Sequence, residues 1–373
     1  MKKRLLYSLI ILFLIDFRPL KAQANLSANS FLVNSFAIGQ ERENNENPLF
    51  RNEEVLAFTL TMDMKEMLKD RGEERSYHSA TITYQDKEGK TVTEALKVRV
   101  RGNRRRDPTV CNFPPLMLNF KRSTVEKTVF GKVNKLKLVT HCNNEDYVLR
   151  EYLVYKLYNI VTDVSFRVRL CQIRYEDVAG KRKPEIRYAF LIEDEDDLAE
   201  RNVATIMPDE LLIRMDATDN RTMAKLALFQ YMIGNTDWSV PYRHNIMLLY
   251  IASYGKPVPV PFDFDYTGLV MAPYATPPPE LGISSVRQRL FRGYSIPGDA
   301  IAELVPFFNN RKADIYRVYT SNSLLDDKYR KQTIRYLDEF FKIINKPKDF
   351  ERHILKVGHQ NERNVVVVKG LEK

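Results

Sequence analysis

Gly234-Asn235-Thr236-Asp237-Trp238-Ser239-Val240-Pro241-Tyr242-Arg243-His244-Asn245, followed by an apolar run over 246–250 and by Pro261-Phe262-Asp263-Phe264-Asp265, sets an Asp, an Asn and an acidic pair in a fixed order. The periodicity around it predicts a helix over 222–232 that delivers Gly234 to Asp237 at its C-terminal end. Strands over 244–250 and 258–262 then form a hairpin behind both motifs. This order is the polar layout of a phosphoryl-transfer site. One carboxylate orients or deprotonates the attacking hydroxyl, while an amide oxygen and further carboxylates hold Mg²⁺ against phosphates. In that layout Asp237 is the catalytic carboxylate, and Asn245, Asp263 and Asp265 are the metal ligands. Asp263 and Asp265 alternate with Phe262 and Phe264, so in a strand both carboxylates share one face. They repel unless a cation lies between them.

Outward from this stretch the chain divides. Upstream, strand signals recur at 55–60, 80–84, 95–101, 116–120, 135–139, 167–175 and 186–192, with a short helix near 64–69 and one amphipathic helix beginning at Asp146. The downstream part from 298 to 356 is rich in helical periodicity. The expected fold class is α+β: a protein-kinase-like two-lobed fold with a β-rich N-terminal lobe (49–197) holding one helix, and an α-rich C-terminal lobe (198–373) carrying the acidic site.

Lys2, Lys3 and Arg4 precede a short apolar run over 5–15, and Ala22-Gln23-Ala24 supplies small residues at a cleavage position. Residues 1–24 therefore read as a secretory signal peptide, and 25–48 as a flexible polar lead-in. The expectation is an exported protein, periplasmic or extracellular, with no integral membrane segment after cleavage. The signal segment holds +4 of the formal +10, which leaves +6 on about 350 residues. That excess is too modest for a dedicated nucleic-acid binder. Arg104-Arg105-Arg106 and Lys181-Arg182-Lys183 read as solvated loops. Cys111, Cys142 and Cys171 cannot make a disulfide framework, but an oxidising compartment permits one bridge, and Cys111–Cys142 is the expected pairing.

Several of these motifs resemble the CotH family of atypical kinase-like proteins and, more distantly, HipA-type kinases. Val98-Arg99-Val100-Arg101-Gly102-Asn103 is similar to that family's R-x-R-G-N segment, and Lys135-Leu136-Lys137-Leu138 with the helix over 147–155 to its strand-then-helix unit. Asn235-Thr236-Asp237-Trp238 and Asp263-Phe264-Asp265 resemble its N-x-D and D-x-D motifs. The resemblance covers about residues 95–270. It implies Mg²⁺ and ATP as cofactors and protein hydroxyl groups as acceptors. In a kinase-like site Lys137 would meet the phosphates and Glu151 would hold it, with Lys135, Lys121 and Arg101 competing for the lysine's role. Residues 188–193 sit like an inter-lobe hinge, which places Glu193 beside the nucleotide.

The chain departs from the kinase pattern in spacing. Asn245 follows Asp237 by eight positions, so Pro241-Tyr242-Arg243 must bulge, and no Gly-rich phosphate loop is present. His244 lacks a second histidine at ligand spacing and reads as a loop residue. Arg287, Arg289 and Arg292 are candidate contacts for a phosphorylated acceptor. Two alternatives to a kinase remain: an inactive pseudokinase-like envelope scaffold, and a nucleotidyl or glycosyl transferase using the same acidic metal site.

Overall fold

The computed structural model describes residues 46–363. The expected signal peptide and most of the lead-in lie outside the described residues. The end of the lead-in is part of the fold: Arg167 Nε donates to Glu46 Oε1 at 3.1 Å, and the Asn47 side chain caps helix α1 (Pro48–Arg51).

Seven strands form the N-terminal part: β1 (Leu56–Met62), β2 (His78–Gln85), β3 (Thr91–Val100), β4 (Leu116–Phe120), β5 (Lys135–Val139), β6 (Val168–Asp177) and β7 (Glu185–Ile192). Helices α2 (Met64–Lys69), α3 (Arg122–Val125) and α4 (Glu145–Val161) interrupt them. Alternation drives the arrangement. In β1, Leu56, Phe58, Leu60 and Met62 are buried, while Ala57, Thr59 and Thr61 face outward. The strands close into a barrel in the order β1-β2-β3-β4-β5-β7-β6. All neighbours are antiparallel except β1 and β6, which close the barrel in parallel, with Leu56 opposite Cys171. Leu60, Ile82, Val98, Leu118, Leu136 and Leu191 belong to the core that fills it.

This architecture corrects the expected two-lobed kinase-like fold. The β-rich part is a closed seven-stranded mixed barrel, and a separate three-stranded sheet stands beyond it, in the order β10-β9-β8. The latter contains β8 (Thr205–Ile206), β9 (Ile246–Tyr250) and β10 (Pro257–Pro261). Closure also removes the supposed hinge. Strand β7 pairs with β5 on one side (Ile192 with Lys137) and with β6 on the other (Ile192 with Val168), so its backbone is committed to the wall.

Strands β6 and β7 are apolar on both faces because each face meets a core. Ile173 and Leu191 belong to the barrel core, whereas Leu170, Phe190 and Ile192 belong to a second core with α4. That second core continues through α5 (Glu195–Arg201), α6 (Asn220–Ile233), α7 (Gly298–Asn310), α8 (Lys312–Thr320) and α9 (Asp327–Ile344). Helix α4 begins because the Asn144 side chain accepts from Asp146 N, and Tyr155 and Leu157 are among its buried residues. The expected helix in the β-rich part is thus present, but it bridges the barrel wall to the helical part.

Cys111 and Cys142 form a disulfide with Cα atoms 4.8 Å apart, pinning the β3–β4 connection to the approach of α4; Cys171 is free and buried. Among the described residues no helix is long and apolar enough to cross a membrane.

Candidate functional site

Helix α6 ends on Gly234, whose φ of 69° is left-handed; a Cβ there would strike Tyr336 Oη. The chain turns into the Asp237 loop directly from this cap. Asn235 Oδ1 accepts from Asp237 N at 2.9 Å, an Asx-type turn that fixes the carboxylate's backbone. The loop then folds back on itself, because Ser239 N donates to His244 O (2.9 Å) and His244 N donates to Ser239 O (3.1 Å). The eight-residue spacing is absorbed by this ribbon, with Arg243 and Asn245 at φ of 51° and 53°.

The ribbon converges three side chains. His244 Nε2 lies 3.0 Å from Asp237 Oδ1, and Asn245 Nδ2 donates to Asp237 Oδ2 at 3.0 Å and to Asp237 O at 2.9 Å. Arg292 donates to Thr236 O, and burial lowers its pKa to about 10 against the opposing pull of Asp237. Arg287 and Arg289 are spent in the same manner: Arg287 donates to Gly268 O, while Arg289 donates to Met232 O and stacks on Tyr336. These three arginines hold the backbone around the loop.

The hairpin brings the second motif alongside, since Phe262 N donates to Asn245 O at 3.0 Å. Asp263 and Asp265 do not alternate along a strand; β10 ends at Pro261, and Asp263 adopts a left-handed φ of 58°. Tyr155 Oη of α4 accepts from Asp263 N at 2.9 Å and fixes this turn. Two left-handed non-glycine residues, Asn245 and Asp263, thus adjoin at one end of the hairpin. Such backbone strain concentrates at binding and catalytic positions.

A cation does lie between the two carboxylates, and it is Arg105. Its Nη2 is 3.1 Å from Asp263 Oδ1, its Nε 3.3 Å from Asp265 Oδ2, and its Nη1 3.0 Å from Glu151 Oε2. Arg105 is 8 % exposed and Glu151 2 %. Burial opposes the Arg105 charge, but Glu151, Tyr274 and the two aspartates outweigh it and hold the guanidinium pKa well above its ordinary value. Burial, with Asp263 adding, pushes the Asp265 carboxyl well above the usual carboxylate range; Tyr274 Oη donates to its Oδ2 at 3.0 Å. Asp263 is the open member of the pair, its side chain 43 % exposed.

Lys137, which the sequence paired with Glu151, ion-pairs instead with Glu195 and lies near the rings of Phe166 and Phe262. Glu193, placed beside a nucleotide by the hinge reading, is sealed at 1 % exposure in a bidentate pair with Arg201. A cavity of about 20 Å³ is lined by Arg101, Arg105, Lys137, Glu151, Tyr155, Phe262 and Asp263 among others. Arg101 is half-buried there, and burial lowers its pKa against the pull of Asp263. Arg105, read from sequence as a solvated loop residue, is the centre of the cluster. Its partners stand 46 and 158 positions away, so no local signal could have found it.

Among the described residues no group of three or more His, Cys, Asp and Glu is arranged to hold a metal ion. The donors present are oxygens: the open Asp263 carboxylate, Asp265, and the Asn245 amide oxygen, whose nitrogen is spent on Asp237. Oxygens of this kind are the donors a hard cation takes, but Arg105 already fills the cation position between the two aspartates, and Tyr274 also holds Asp265. Compared with known proteins, the chain matches no family model and no curated protein.

Proposed function

We propose that this chain transfers a phosphoryl group from a nucleoside triphosphate to a protein hydroxyl, as the resemblance to CotH-like kinases implies, with the side chains rather than a two-lobed fold carrying the chemistry. The observation that supports it is the adjacency of two loops: Asn245, bound to Asp237, hydrogen-bonds through its carbonyl to Phe262, one residue before Asp263. The Asp237 carboxylate orients the acceptor hydroxyl. Asp263 and Asn245, with Asp265 behind them, would hold Mg²⁺. Arg101, beside Asp263, suits the charge of a phosphate; the cavity it lines, at about 20 Å³, has room for about one water, so a polyphosphate has to open it. Bound Mg-ATP would supply the phosphoryl group and neutralise its charge. Arg105 keeps Glu151 and both aspartates from repelling one another.

We further place the protein outside the cytoplasm. The N-terminal signal pattern and the Cys111–Cys142 bridge support this, since disulfides persist in oxidising compartments. Such a kinase requires nucleotide in that compartment.

The test is incubation of purified protein with γ- and α-labelled ATP and Mg²⁺ or Mn²⁺. Label from γ alone is expected in the protein fraction, with Asp237→Asn and Asp263→Asn each losing at least about 100-fold. Label from α would point to nucleotidyl transfer, and none from either would overturn the reading. One observation favours a second reading, the inactive scaffold: Glu151 and Asp265 are already spent on Arg105. An unchanged biological role in Asp237→Ala and Asp263→Ala would establish it.

A further inference from the structure

The ribbon after Asp237 gives His244 a relationship that the phosphoryl-transfer reading leaves unused. Both oxygens of the Asp237 carboxylate are engaged, Oδ1 by His244 Nε2 and Oδ2 by Asn245 Nδ2, each at 3.0 Å. An ionised carboxylate only accepts hydrogen bonds, so this contact puts the imidazole proton on Nε2 and leaves the lone pair on Nδ1. Nδ1 has no hydrogen-bond partner among the described residues, and the side chain is 29 % exposed. The two main-chain bonds between Ser239 and His244 hold the ring's backbone in place. A base whose far nitrogen is fixed by a carboxylate, with its near nitrogen open, is the arrangement that activates hydroxyl nucleophiles on unrelated folds.

We propose that His244 takes the proton from the acceptor hydroxyl and that Asp237 is the positioning residue that holds its tautomer. The inference rests on the phosphoryl-transfer reading and changes the role of Asp237 within it. As the acceptor oxygen bonds to phosphorus, its proton passes to His244 Nδ1. The bond from phosphorus to the bridging oxygen breaks, and its electron pair leaves with the nucleoside diphosphate. The imidazolium is balanced by Asp237 and returns its proton to solvent. The charged and titratable groups facing this pair are few. Arg292 approaches Asp237 from the segment after the acidic motif, and Tyr266, with Arg104 beside it, faces Asp237 from the Asp263 loop.

His244→Gln keeps an amide donor for Asp237 but removes the base. With γ-labelled ATP and Mg²⁺, this variant is expected to lose about 10²- to 10⁴-fold in kcat, with the acceptor KM changed by less than about threefold. Urea unfolding followed at Trp238 checks that the variant is folded. A long-range ¹H–¹⁵N spectrum of the imidazoles gives a readout independent of turnover: His244 should be protonated at Nε2 in the wild type and lose that fixed tautomer in Asp237→Asn. A His244→Gln variant that keeps its kcat within threefold while Asp237→Asn abolishes transfer would overturn the inference alone, as would a wild-type His244 protonated at Nδ1. Absence of γ-label transfer by the wild type would overturn the underlying reading, and the inference with it.

Discussion

At Arg105 three carboxylates meet one guanidinium, and the balance there is set by burial. Removing Arg105 would cost about 3–5 kcal/mol, because Glu151 and Asp265 would be left buried and uncompensated. His141 shows the same physics without a partner. It is 7 % exposed against Phe113 and Tyr175, and burial, with Arg187 adding, lowers its pKa to about 4 from 6.5. The unfolded chain therefore binds a proton that the folded chain refuses between these values. The contribution to stability is whole above pH 6.5 and is lost as pH falls to about 4, amounting to about 3 kcal/mol. In urea titrations at pH 7 and pH 4, His141→Phe should reduce the pH dependence by that amount; an unchanged difference would refute it. That Asp237 meets Asn245, and that Asp263 and Asp265 lie together, was legible in the sequence because their order is local. The partner expected for Glu151 was not its partner in space: Lys137 is the nearer of the two cations along the chain, but Arg105 makes the ion pair.

Strands and helices were legible wherever a single face is buried. Strands β4 and β5 have the bounds the alternation predicts, and α2 and α4 start within a residue of their expected positions. The pairing of β1 with β6 was not legible, because Leu56 and Cys171 are far apart in sequence and alternation tells which side a residue faces, not which strand it joins. The β3–β4 connection and the approach to α4 depend on each other through Cys111–Cys142. That bridge joins cysteines 31 positions apart, for which chain entropy gives about 3–4 kcal/mol. The double variant Cys111→Ser/Cys142→Ser should lose stability of this order in urea. Because the same connection carries Arg105, its γ-label transfer should fall more than its secondary structure, as read by circular dichroism. Equal stability of variant and wild type would show that the bridge constrains nothing.

The barrel core and the helical core share the wall made by β6 and β7, so neither can lose its packing without exposing the other. This continuity is what the two-lobed expectation missed: a division by composition became a shared wall in space. Cooperative unfolding follows. Trp238, the one tryptophan of the chain and 1 % exposed, reports the helical core beside the candidate site. Its fluorescence and the far-ultraviolet dichroism should lose their native values at the same urea concentration. Two separated transitions would show that the halves fold independently.

Strand β10 reads Pro257-Val258-Pro259-Val260-Pro261 and lies at the edge of its sheet, paired only with β9. A proline has no N–H, so within a ladder it must stand where that group would point away from the partner. The outer rim of β10 therefore has no donors for an incoming chain. Strand β8, at the opposite edge, is two residues long, and the barrel has no edge at all. Among the described residues, every route by which a second copy could graft itself onto these sheets is closed, short or chemically blank. Such rims leave partly folded copies little to template on one another.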